Sequence, residues 1–80
     1  MSTIHERIRA YLERSLRQLE LDDDTDIFAN GMVDSLFAVQ LVAFTEQEFG
    51  VAVVDDDLDL ANFRSINDLA NFVGRKRTGV

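Results

Sequence analysis

The stretch from Ser35 to Phe49 limits the possible folds more than any other part of this 80-residue chain. On a helical wheel at about 100° per residue, Leu36, Phe37, Ala38, Val39, Leu41, Val42, Ala43, Phe44 and Phe49 point in nearly every direction. A helix apolar almost all round has to be covered by the rest of its domain, so this one is expected to be central. Val39, Val42 and Phe49 are then core, with Ile8, Leu12, Ile66 and Leu69 from flanking helices. Gln40 and Gln47 mark its clearest wet stripe, and Glu46 and Glu48 lie further round.

At the head of this helix Asp34 is the natural N-cap, its carboxylate able to accept from free first-turn N–H groups. Asn30-Gly31 before it is a turn signal. Ser35 therefore stands at a defined, exposed corner. As a nucleophile it would need a histidine base and an oxyanion hole. The one histidine, His5, belongs to a different helix and reads as a solvated first-turn residue, so a serine hydrolase has no support. A serine at a helix start can instead be an attachment point, because the helix N-terminus tolerates the negative charge of a phosphodiester. The plain alternative is that Asp34 and Ser35 only cap the helix.

With 46% apolar and 29% charged residues, the chain suits a single domain, residues 1–80, with an ordered core over about 4–73 and a basic tail at 75–80. No apolar run approaches the roughly 20 residues needed to span a bilayer, and the N-terminus lacks a signal-peptide pattern, so a cytoplasmic monomer is expected. There is no cysteine, so any thiol in its chemistry must come from a cofactor. The span from Gln18 to Phe63 carries acids and no Lys or Arg within a formal net charge of −7. A middle of one sign repels nucleic acid and anionic membranes and steers basic partners toward Ser35.

Thr3-x-x-Glu6 is a capping box opening a helix over Thr3 to Gln18, with Glu6, Arg9, Glu13 and Arg17 pairing on its outer face. From Leu19 to Val33 the periodicity stops, and Ile27 and Phe28 are expected to pin this long loop to the bundle, with Asp26 or Thr25 capping a local turn. Gly50 supplies a left-handed stop after Phe49 and opens an extended connector. Asp55 to Phe63 holds a short third helix or helical turn. Ser65-x-x-Asp68 is a second capping box, opening a fourth helix that ends near Gly74, and Arg75-Lys76-Arg77 reads as a frayed tail. No metal is expected: read as Ca²⁺ loops from Asp22 or Asp55, the aspartate clusters lack the required glycine and glutamate. The fold class is all-α, a four-helix bundle with a short third helix and a long loop between helices 1 and 2.

Asp34-Ser35-Leu36, the acidic loop before it, Glu48-Phe49-Gly50 and Ala61-Asn62-Phe63 together resemble an acyl carrier protein over about Ile4 to Val73. The resemblance implies that Ser35 bears covalent 4′-phosphopantetheine from coenzyme A, with Asp34 and Leu36 completing the motif, and that the chain catalyses nothing itself. Gly31-Met-Val-Asp-Ser-Leu-Phe, Val39-Gln40-Leu41 and Phe49-Gly50-Val51 are more similar to discrete carriers of D-alanyl, glyceryl, methoxymalonyl or aminoacyl units than to the fatty-acid type. The implied partners are a phosphopantetheinyl transferase, a loading enzyme (adenylating enzyme or acyltransferase), and a downstream acyltransferase or synthase of a natural-product, polyketide or antibiotic pathway. On the helix after Ser35 the expected docking surface is Met32, Phe37, Gln40, Ala43, Glu46, Gln47 and Glu48, with Phe37 as an apolar anchor. The competing reading of Phe37 is that it turns inward. The rival class is a small acidic interaction module with no covalent arm.

Overall fold

The computed structural model describes residues 3–17, 21–29 and 33–78. Among these the chain forms three α-helices, α1 (Ile4–Leu16), α2 (Ser35–Phe49) and α3 (Ile66–Thr78), with two 3-10 turns, Asp55–Asp57 and Leu60–Asn62, and no strand. The all-α expectation holds. The segment Asp55 to Phe63, expected as a short third helix or helical turn, is a pair of 3-10 turns, so the described residues hold three α-helices rather than four. Its own polar side chains explain this. The Asp57 carboxylate accepts from the Val54 N–H, Asp59 accepts from Ala61, and the Asn62 amide donates to the Asp57 carbonyl. Short acids and amides that satisfy nearby backbone groups hold local turns at the expense of a helical ladder.

The Thr3 capping box forms as read. Its hydroxyl accepts from Glu6 N at 3.0 Å, and the Glu6 carboxylate accepts from Thr3 N at 3.2 Å. α1 stops at Leu16, short of the expected Gln18, because Arg17 turns left-handed (φ 56) and donates its N–H to the Glu13 carbonyl. Gln18 and Leu19 lie outside the described residues.

Arg9 and Glu13 do not spend their charge within α1 as expected. Glu13 accepts from the Leu21 N–H at 3.0 Å, while Arg9 donates to the Leu21 carbonyl and the Asp23 carboxylate. The loop offers backbone groups with no helical partner, and charge-assisted bonds to them are stronger than exposed pairs along a helix. His5 is likewise half-buried rather than solvated, donating from Nε2 to Asn67 Oδ1 at 2.9 Å. The loop is pinned from the other side as well. Ile27 N donates to the Arg64 carbonyl at 2.9 Å and Asn67 N to the Asp23 carbonyl at 3.0 Å, while Ile27 itself is buried. Asp26 caps its local turn as expected, accepting from Phe28 and Ala29.

α1 approaches α3 most closely, and α2 leans on them through one stripe, Leu41, Thr45 and Phe49, at helical four-residue steps. The buried Thr45 hydroxyl is satisfied by donating to the Leu41 carbonyl at 2.8 Å. Arg7 lies over the Phe49 ring at 4.9 Å from its centroid. α2 is thus not covered all round. Phe49 is buried and Val42 half-buried, but Val39, expected in the core, is 66% exposed, as is Leu36. The segment that would have to cover that side is the pair of 3-10 turns, and it leaves a groove instead. Ile8, Leu12, Ile66 and Leu69 are buried as expected.

α2 ends at Gly50 in the left-handed conformation (φ 65). Ser65 caps α3 by accepting from Asp68 N at 3.1 Å, and the return bond runs from the Ser65 hydroxyl to the Asp68 carboxylate. The last buried residue among those described is Val73, but α3 continues through Gly74 to Thr78, so Arg75-Lys76-Arg77 is helical rather than a frayed tail. Three cations suit a helix C-terminus. Two of them also have partners: Lys76 Nζ donates to Asp57 at 2.8 Å, and Arg75 donates to Asn62 at 3.0 Å while lying over the Phe72 ring. No described helix is long and apolar enough to cross a membrane.

Candidate functional site

Asp34, in extended backbone, accepts from the Phe37 N–H at 2.9 Å and fixes where α2 begins. Ser35 is the first helical residue and is exposed, and its hydroxyl makes no hydrogen bond among the described residues. Beside it lies a recess of about 300 Å³ walled by Val33, Asp34, Ala38, Phe28 and Leu60. That recess adjoins an open apolar groove of about 210 Å³, shared through Phe28, Ala38 and Leu60 and continued by Val39, Val42 and Phe63. Leu58 and Asp59 complete the far wall.

The remaining expected docking residues divide by burial. Leu36, Gln40, Ala43 and Gln47 are exposed along one side of α2 together with Val39. Phe37 is not an outward anchor. It is half-buried, packed on the core, with its ring centroid 6.1 Å from that of Tyr11. Its position on the helix puts it beside Phe44 and Leu41, where α1 covers it. Glu46 is half-buried and accepts from the Val53 N–H at 2.9 Å, so it holds the connector. Glu48 is exposed and bound by the Arg7 guanidinium, whose Nε donates at 2.7 Å. Met32, Asn30 and Gly31 lie outside the described residues.

The wheel missed the groove, and with it Phe28, Leu58 and Leu60. A signal was present in Asp57-Leu58-Asp59-Leu60, where leucines alternate with acids in a segment with no helical period. Leu58 and Leu60 remain 59% and 56% exposed. On the same wall, the Lys76 ammonium bonded to Asp57, helped by the Val54 N–H, holds that carboxyl below the ordinary aspartate range. Among the described residues no three His, Asp or Glu side chains gather closely enough to hold a metal ion.

No curated protein matches the chain. A family model for the phosphopantetheine attachment site matches residues 3–73, which takes in α1, the loop, Ser35 with all of α2, both 3-10 turns and most of α3. Members of this family meet a phosphopantetheinyl transferase and enzymes that handle acyl groups. The match sets aside an interaction module without a covalent arm: this chain belongs to the phosphopantetheine-attachment family, a carrier that bears covalent 4′-phosphopantetheine and is not itself an enzyme.

Proposed function

We propose that Ser35 is the residue that accepts the arm from coenzyme A. On this reading the chain is a discrete carrier that holds an acyl or aminoacyl unit as a thioester between the enzymes of a natural-product pathway, polyketide or related. The observation that carries the reading is an exposed hydroxyl at the first turn of α2, without a hydrogen-bond partner among the described residues, beside a recess that adjoins an apolar groove. The other described serines suit the role less well. Ser65 is buried and committed to capping α3, and Ser15 lies within the last turn of α1, with no helix start beneath it.

The residues around Ser35 fit a phosphodiester. Asp34 occupies the Phe37 N–H, while the Ser35 and Leu36 N–H groups have no partner among the described residues, so the positive end of α2 is open to an anion. Once attached, the arm supplies the thiol that this cysteine-free chain lacks. Phe28, Ala38, Val42 and Phe63 offer an apolar unit a surface out of water. The stand-alone, natural-product character is supported by the motif Gly31-Met-Val-Asp-Ser-Leu-Phe around the serine.

Docking of the transferase, the loading enzyme and a downstream acyltransferase or synthase falls to the uncharged side of α2, with Leu36 and Val39 as apolar contacts and Gln40, Ala43 and Gln47 beside them. Asp34, Glu48 and the exposed Asp55 and Asp56 form a rim that speeds encounter with basic partners. Incubation with coenzyme A and a phosphopantetheinyl transferase, read by intact mass, tests the assignment of Ser35.

A further inference from the structure

The groove beside Ser35 has two unlike walls. On one side stands α2, anchored through Leu41, Thr45 and Phe49. The other wall is the segment of 3-10 turns, and its leucines are not what hold it: Leu58 and Leu60 are more than half exposed, as is Val54 before them. Between Val53, packed against the core, and the buried Phe63, residues 54–62 bury no apolar side chain; such a stretch belongs to the low-stability end of a fold and stays in place between those two anchors only if something else ties it.

Polar contacts from the neighbouring helices tie it. At its start Glu46 of α2 accepts from the Val53 N–H. Its middle is gathered at Asp57 Oδ2, which accepts both from Lys76 Nζ at 2.8 Å and from the Val54 N–H at 3.1 Å. At its end Asn62 accepts from Arg75 at 3.0 Å and donates to the Asp57 carbonyl at 2.9 Å. Lys76 and Arg75 are neighbours on the last turn of α3, so one helical turn holds two points of the wall at once. The side chains of Lys76 and Asp57 are 28% and 19% exposed, the least exposed of the ion pairs among the described residues, and so the least screened by solvent.

We propose that the last turn of α3 is a latch on the groove wall: Lys76 and Arg75 hold residues 57–62 in place, and releasing them lets the wall leave α2 and uncovers whatever the groove holds. Lys76 and Arg75 are positioning residues, touching no cargo themselves. For its functional consequence the latch rests on the reading of Ser35 as the root of the arm, whereas its mechanics belong to the unmodified chain and can be measured there.

Backbone amide exchange on the full, unmodified chain compares wild type with Lys76→Gln and Lys76→Arg. Residues 54–62 exchange about fivefold faster in Lys76→Gln while Ile8 and Leu12 of the core are unchanged, and Lys76→Arg returns the rate to within about twofold of wild type. Equal exchange at 54–62 in wild type and Lys76→Gln, or a rise spread evenly over α1 and α2, overturns the latch. A second arm uses the protein carrying an octanoyl thioester and follows its cleavage by hydroxylamine. Cleavage is faster in Lys76→Gln if the groove shelters the cargo. Equal cleavage alongside faster exchange leaves the latch standing and overturns the reading that joins Ser35 to the groove.

Discussion

Tyr11 of α1 lies flat against Phe44 of α2, with ring centroids 3.9 Å apart and planes 10° from parallel. Phe37 stacks on the same tyrosine, one α2 heptad from Phe44, and Phe49 meets Phe44 edge-on at 5.9 Å. This aromatic seam joins the two helices and takes Phe37 off the side of α2 proposed for docking, where Leu36 and Val39 are the exposed apolar residues. Val39→Ala therefore weakens binding to the loading enzyme by about 1 to 3 kcal/mol while the melting temperature stays near wild type. Phe37→Ala lowers the melting temperature instead. Titration calorimetry beside thermal melts checks both, and an unchanged affinity for Val39→Ala would remove this face from recognition.

The same seam predicts how stability is distributed along α2. Phe49 is buried beneath Phe44 and Arg7, so Phe49→Ala should cost about 3 to 5 kcal/mol, a large part of the total for a small domain. Val39→Ala, on the open side, should stay within about 0.5 kcal/mol. Urea unfolding of the two variants decides it: similar losses would mean that the groove side of α2 is packed as tightly as the core stripe.

Along α2 the sequence is informative about caps and not about which side is covered. Both capping motifs could be read because their partners sit within three residues, and the left-handed stop at Gly50 needs only its own backbone. The wheel of α2 could not be read, because apolar residues on every side say nothing about which side a neighbour covers. Arg9 and Glu13 have plausible company within α1 and His5 has none, yet all three bond across the fold, to Asp23, Leu21 and Asn67. Of the candidate site, the cap made by Asp34 and the exposure of Ser35, Gln40, Ala43 and Gln47 are legible in the sequence. The groove was not, since it is made by a segment that fails to become a helix.

The fourth helix is expected to end near Gly74, but α3 runs through that residue to Thr78, and a Cβ built at Gly74 meets nothing within 4 Å. Glycine within a helix forfeits about 0.5 to 1 kcal/mol relative to alanine, mostly as backbone entropy in the unfolded chain. Gly74→Ala should raise stability by that amount and strengthen the last turn of α3. Chemical denaturation measures it, and a destabilised variant would mean that α3 bends or breaks at this residue.

The depressed pKa of Asp57 fixes a pH dependence. A carboxyl whose folded pKa lies below its unfolded value contributes stability above the unfolded value and loses it as pH falls through the folded one. The difference in stability between wild type and Asp57→Asn should therefore be present at neutral pH and shrink below about pH 4. Unfolding curves of both proteins over that range test the sign, and a difference that widens in acid contradicts the Lys76–Asp57 pairing.

On the proposed function the arm is joined to Ser35. Intact-mass measurement after incubation with coenzyme A and a phosphopantetheinyl transferase tests it most directly, on wild type, Ser35→Ala and Ser65→Ala. Wild type and Ser65→Ala should each gain the mass of a single phosphopantetheine, and Ser35→Ala should gain none while keeping its helical content, because Asp34 still caps α2. A folded Ser35→Ala protein that gains the same mass as wild type would place the arm on another residue and overturn the assignment of Ser35.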